Sequence, residues 1–234
     1  GKTIPLEQTP RHVFYLEEIL TRLPEARAVV MVRDARDVLL SQKFKWRRFA
    51  GQPAAPRRLA WLFWANYHPV NMSLLWQRAV RAGDRWQDHP RVRCVRFEDV
   101  LADSAGVVED VCRWLGLTFE PDMLLIPTNS SYTPGQAETV GIQPAAAGRW
   151  QRDRANRADL AVCQRLTEPL LIQHGYVVSA ALQPRWYDWV RVGATWPVKV
   201  GLTLALNFGR IRPLLSAIPR RLYRWVSNPS PSLD

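Results

Sequence analysis

Arg33, Asp34, Asp37 and Ser41 lie within the short run Val32-Arg33-Asp34-Ala35-Arg36-Asp37-Val38-Leu39-Leu40-Ser41, and residues of these types at this spacing can hold an anion. A guanidinium grips a phosphate through two parallel hydrogen bonds. Asp34 stands where a helix N-cap belongs, and Asp37 follows three residues later in a capping-box-like relation, so a helix is predicted to begin near Ala35. Ser41 then falls two turns inside that helix. The preceding run Ala28-Val29-Val30-Met31-Val32 is rich in β-branched residues and bounded by Pro24 and by charge, which reads as a buried parallel strand ending at Arg33. In an open parallel sheet, ligands collect beyond the carboxyl ends of the strands, where helix N-termini offer N–H groups and partial positive charge. Arg36 is read as a helix-surface charge in preference to a second phosphate contact.

The eight-residue step from Arg33 to Ser41 resembles the segment with which sulfotransferases hold the 3′-phosphate of 3′-phosphoadenosine 5′-phosphosulfate. Other stretches fit the same family in the same order. Glu7-Gln8-Thr9-Pro10-Arg11-His12 is similar to its Glu-Lys-Thr-Pro segment, and Val95-Arg96-Phe97-Glu98-Asp99-Val100 to its Tyr-Glu-Asp-Leu strand end. Cys112-Arg113-Trp114-Leu115-Gly116-Leu117 and Gly148-Arg149-Trp150 also fit, so the resemblance covers residues 3 to 176.

That resemblance implies an α/β, P-loop-NTPase-like three-layer fold in which helices flank a parallel sheet. It implies transfer of a sulfuryl group from the phosphosulfate co-substrate, without a metal, to a hydroxyl or amine of a carbohydrate, lipid or small-molecule acceptor. Arg33 and Ser41 are then nucleotide-binding residues, and Arg149 closes over the nucleotide with Trp150 giving a flat surface nearby. Glu7 is the candidate general base, active once burial raises its affinity for a proton, with His12 in reserve. Two positions depart from the family pattern: Gln8 replaces a lysine, and Phe97 replaces a tyrosine.

Such sulfotransferases open with a strand, a Walker-like loop and a helix that cradle the 5′-phosphosulfate, and no such unit precedes Glu7. Gly1-Lys2-Thr3 mimics the end of that loop, but Pro5 blocks a normal following helix. The sequence is therefore expected to begin past the loop, leaving the fold incomplete at its N-terminus and a sheet edge exposed. A non-catalytic nucleotide-binding or peripheral-membrane remnant of the fold remains the alternative. A nucleotide kinase is disfavoured because neither a complete phosphate loop nor a magnesium-binding acid after a strand is evident. A nucleic-acid binder is disfavoured because the arginines are spread among elements.

Composition agrees with an anion-handling domain. The 234 residues carry a net charge of +11, which favours nucleotides, sulfated or phosphorylated sugars, acidic lipid surfaces or nucleic acid without sequence preference, and charge alone does not choose among them. Cys94, Cys112 and Cys163 lie in apolar surroundings without metal-ligand spacing, and are read as reduced core residues of a cytoplasmic protein.

The elements that must position these residues follow from periodicity. Helices are predicted over Pro10–Leu23, over Arg57–Ala82 with a break at His68-Pro69, from an N-cap at Ser104 to a C-cap at Gly116, and over Arg157–His174. Arg91–Phe97 reads as a second parallel strand. Loops are expected over Ala50–Pro56 and over residues 127 to 147, the latter mobile. Trp46, Trp61, Trp64, Tyr67, His68 and Trp76 form an aromatic stripe that is core before it is an acceptor pocket. An α/β domain is thus expected over 1–178, followed by a basic, Trp-rich helical extension over 179–234 with a disordered tail from Ser227. The extension's Trp and Arg residues suit a membrane surface through 185–226 as well as they suit packing on the domain, while Pro197, Lys199 and Asn207 argue against a full span.

Overall fold

The computed structural model describes residues 4–50, 57–125, 127–128, 139–142 and 147–227, with the backbone alone at positions 48, 127–128, 139–140 and 209–227. The Gly1-Lys2-Thr3 tripeptide, most of the Ala50–Pro56 loop and the tail beyond Ser227 lie outside the described residues. A 3-10 turn, Pro10–Tyr15, leads into helix α1, Leu16–Arg22, so the stretch expected as one helix is split in two. Strand β1, Ala28–Val32, is followed by α2, Ala35–Ala50, then α3, Arg57–Asn66, and α4, Pro69–Asp84. The break between α3 and α4 falls at His68-Pro69, where proline opens the new helix and its missing N–H costs nothing.

Strand β2, Val92–Arg96, runs directly into α5, Phe97–Ala102, and α6, Ser104–Leu115. The cap of α6 is Asp103, one residue before the expected Ser104; its side chain accepts the Gly106 N–H, while the Ser104 hydroxyl turns back to the Val100 carbonyl. Gly116 ends α6 with φ of 75°, a left-handed conformation that glycine adopts without steric cost. A two-residue antiparallel pair, β3 at Pro127–Thr128 and β4 at Thr139–Val140, sits in the stretch expected as loop, most of which lies outside the described residues. The helical turn α7, Arg149–Arg152, precedes α8, Arg157–Gln173, and α9, Trp186–Ser227.

The fold is α/β, with a parallel sheet flanked by helices. β1 and β2 pair in parallel, Val30 opposite Cys94 and Val32 opposite Arg96, so both strands deliver an arginine to the same carboxyl edge. Alternation along β1 turns Val30 and Val32 toward α4, where a Cβ on Gly83 would meet Val30 Cγ1 at 2.9 Å. Val29 and Met31 point the other way and are exposed. The core joins Val32, Leu39 and Leu40 to Trp76 and Val80 of α4 and to Leu160, Ala161, Cys163, Leu170 and Leu171 of α8. Full burial of each leucine contributes about 1.5–3 kcal/mol relative to exposure. Cys112 and Cys163 are buried as expected, but Cys94 is exposed.

Candidate functional site

At the carboxyl edge of β1 the chain turns through Arg33 and Asp34 into α2. The backbone carbonyl of Arg33 accepts the Trp76 indole N–H at 2.9 Å, and its guanidinium lies 4.5 Å from the Phe97 ring centroid. Phe97 thus holds the arginine through its π-face. Burial holds the Arg33 guanidinium below the usual arginine range, and the like charge of Arg149 adds to that effect. Asp37, Glu98 and Asp34 pull in the opposite direction. Arg149 comes from a position 116 residues further along the chain, and its charge is felt at Arg33 less than that of Asp37.

Three carboxylates meet at the start of α2, each with its own work. Asp34 Oδ1 accepts the Arg36 backbone N–H at 2.8 Å. The second arm of the expected capping box does not form, because Asp37 reaches away from the helix end to accept the Gly148 N–H at 2.7 Å and the Trp150 N–H at 3.0 Å. Glu98, from the head of α5, takes that place and accepts the Asp34 N–H at 3.0 Å, while its other oxygen accepts the Tyr176 hydroxyl at 2.8 Å. With the Asp34 and Arg36 amides already bonded to protein, the cationic character of this corner rests on guanidinium groups more than on the helix end. Burial raises the Asp37 carboxyl above the ordinary aspartate value, against the lowering effect of the Trp150 N–H.

Arg36 is neither a surface charge nor a phosphate contact. It is 1% exposed, bonds Asp34 through Nε at 2.9 Å and Nη2 at 2.6 Å, and reaches Gln164 Oε1 at 2.7 Å. Its guanidinium lies 3.6 Å from the Trp150 ring centroid. Trp150 is therefore a buried ring whose face is taken by Arg36, and what it offers the site is a fixed position for Gly148 and Arg149. Gly148 adopts φ of 64°, which lets the chain turn sharply enough to give two amides to Asp37.

Ser41 lies half-buried on α2, four residues beyond Asp37 and so on the same helix face. Glu7 is exposed in an extended segment and accepts the Thr9 hydroxyl at 2.6 Å. The burial expected of Glu7 is thus absent in this structure. His12 is half-buried within the 3-10 turn that packs on α4. The structure brings Arg33, Asp37, Arg149 and Trp150 together, with Glu98 and Asp34 beside them. Tyr176 and Gln164 went unnoticed in the sequence because single polar residues in or after an apolar helix carry no local signal.

The segment that carries β1, the capped start of α2 and the Arg96-Phe97-Glu98 corner matches the family model described as the Sulfotransferase family, over residues 2–121, just over half of the 234 residues. The chain belongs to the sulfotransferase family. Sulfotransferase 2A6 of Rattus norvegicus is 25% identical over 126 residues, covering 53% of this chain and 42% of that protein. Sulfotransferase 2A1 of Homo sapiens is 28% identical over 121 residues, covering 46% of this chain and 38% of that protein. This sulfotransferase chain spans about two fifths of the length of the curated relatives it matches. Among solved structures, the Sulfotransferase Domain from the Curacin Biosynthetic Pathway aligns with a TM-score of 0.44 and 17% identity, covering 74% of this chain and 62% of that one.

Within this sulfotransferase chain the aromatic stripe divides. Tyr67, His68 and Trp76 serve packing: the Tyr67 hydroxyl donates to Asp159 at 2.9 Å, and His68 Nε2 lies 3.1 Å from the Val192 carbonyl. Trp61 and Trp64 are exposed on α3. Buried Asp159 also accepts Lys43 at 2.6 Å and Arg191 at 2.7 Å, fastening α2 and α9 to α8. Among the described residues no cluster of three His, Cys, Asp or Glu side chains is placed to hold a metal ion.

Proposed function

We propose that this sulfotransferase chain binds 3′-phosphoadenosine 5′-phosphosulfate at the carboxyl edge of β1 and passes its sulfuryl group to a hydroxyl or amine of a carbohydrate, lipid or small-molecule acceptor. The observation that carries the reading is the hold of the Asp37 carboxylate on the Gly148 and Trp150 N–H groups, which sets Arg149 at the start of α2, where Arg33 ends β1. An anion set between like charges removes their repulsion, and a phosphate monoester has the oxygens to accept from both. Ser41, on the Asp37 face of α2, supplies a hydroxyl one turn further along. This corner receives the 3′-phosphate.

In the reaction the acceptor oxygen or nitrogen attacks sulfur in line as the bond from sulfur to the 5′-phosphate oxygen breaks. Adenosine 3′,5′-bisphosphate leaves, and the acceptor proton passes to a base. The chain's contribution is positioning and charge compensation. Glu7, with one oxygen engaged by Thr9, is the base in this reading and His12 the reserve. We assign the reaction to the cytoplasm, a setting in which the three free cysteines stay reduced.

Titration calorimetry with adenosine 3′,5′-bisphosphate tests the reading, with adenosine 5′-phosphate as control. Binding about a hundredfold tighter for the bisphosphate supports it, given that a charge-assisted hydrogen bond contributes about 1.5–3 kcal/mol. Equal binding of the two nucleotides, or none by the folded chain, refutes it.

A further inference from the structure

Helix α9 is mounted with its polar side inward. Lys199 donates to the Trp64 carbonyl at 2.8 Å, Thr203 to the Ala65 carbonyl at 3.1 Å, and Asn207 to Asn66 Oδ1 at 3.2 Å. Arg191 is spent on Asp159, and Asp188 and Val192 are buried against the domain. The opposite side presents Trp186, Val190, Val198, Leu204 and Phe208 to the exterior, with Trp186 77%, Val198 62% and Phe208 60% exposed. Ala194, Pro197, Gly201 and Ala205 fill the positions between them, so this face carries no charged side chain from Val190 to Phe208. A helix on the surface of a protein surrounded by water ordinarily points its polar residues outward. This one does the reverse.

We infer that the outward face of α9 lies on an anionic lipid surface. The helix contains no acidic residue after Asp188, and its continuation carries Arg210, Arg212, Arg220, Arg221 and Arg224. The chain as a whole carries +11. A second copy seated on the same face would bring that charge against itself, whereas acidic headgroups complement it. Exposed Trp186 and Tyr187, at the head of α9, are amphipathic rings of the kind that settle at headgroup level, whereas Trp196 belongs to the inward stripe and donates its indole N–H to Asn71 at 3.0 Å. Among the described residues no helix is long and apolar enough to cross a membrane, so α9 lies along the interface.

Flotation of the full chain with vesicles of phosphatidylcholine alone, and of phosphatidylcholine with phosphatidylserine, tests the inference. The wild-type chain is expected to float with the serine-containing vesicles and about tenfold or more less with the neutral ones. Leu204→Glu with Phe208→Glu, both exposed and therefore neutral to folding by circular dichroism, should weaken that binding at least about tenfold. A wild-type chain that stays in solution overturns the inference, as does a double variant that floats equally well. A dimer in light scattering that the double variant disperses, without vesicle binding, assigns the face to a second copy and also overturns it.

Discussion

The Arg36 guanidinium lies 3.6 Å from the centroid of the Trp150 ring, so the first turn of α2 and the 148–150 turn are pinned to each other across 114 residues of sequence. That contact, with the Asp37 bonds to Gly148 and Trp150, places Arg149 beside Arg33.

Arg36→Met should lower folding stability by about 3–5 kcal/mol in urea unfolding, because it leaves buried Asp34 without its cation. Asp34→Leu combined with Arg36→Met should cost less than Arg36→Met alone, since the uncompensated charge goes too. A loss below about 0.5 kcal/mol for the single variant is the range of a surface substitution and would contradict the structure.

Asp37 gives a pH signature. Its carboxyl is raised by burial above the ordinary value of 3.8, so the native chain binds this proton more tightly than the unfolded chain. Stability contributed at this position therefore falls as pH rises from that ordinary value through the raised one, and is constant above it. Urea unfolding of wild type and Asp37→Asn between about pH 4 and 7 should show their difference shrinking with pH across that window. A difference that grows with pH would reverse the sign.

His68 works in the other direction. Burial lowers its proton affinity below the ordinary value of 6.5, so the native state holds it neutral against the Val192 carbonyl. The stability it contributes is complete above that value and is lost as pH falls through the lowered one. His68→Gln, which keeps a donor for Val192, should make the melting temperature less sensitive to pH over about pH 5–7. An unchanged profile would place His68 outside the titrating set.

Those features legible in the sequence are local. β1, the start of α2 at Ala35, the break at His68-Pro69 and the left-handed Gly116 each follow from neighbours within a few residues. What escaped is long-range. Asp37 reads as half of a capping box until Gly148 and Trp150 are folded against it, and Glu98 takes the place at the helix end that Asp37 vacates. Arg36 looks like a solvated charge because its partners Gln164 and Trp150 lie more than a hundred residues away. Nothing in the hydropathy of α9 reveals which of its faces is inward; Asn66, Trp64 and Asp159 decide it.

The most direct test of the nucleotide site is a double cycle by titration calorimetry: wild type and Arg33→Ala, each with adenosine 3′,5′-bisphosphate and with adenosine 5′-phosphate. A charge-assisted contact between Arg33 and the 3′-phosphate predicts a coupling energy of about 2 kcal/mol, so that the substitution weakens the bisphosphate and leaves the monophosphate nearly unchanged. Equal weakening of both nucleotides, with no coupling, would contradict a 3′-phosphate held by Arg33.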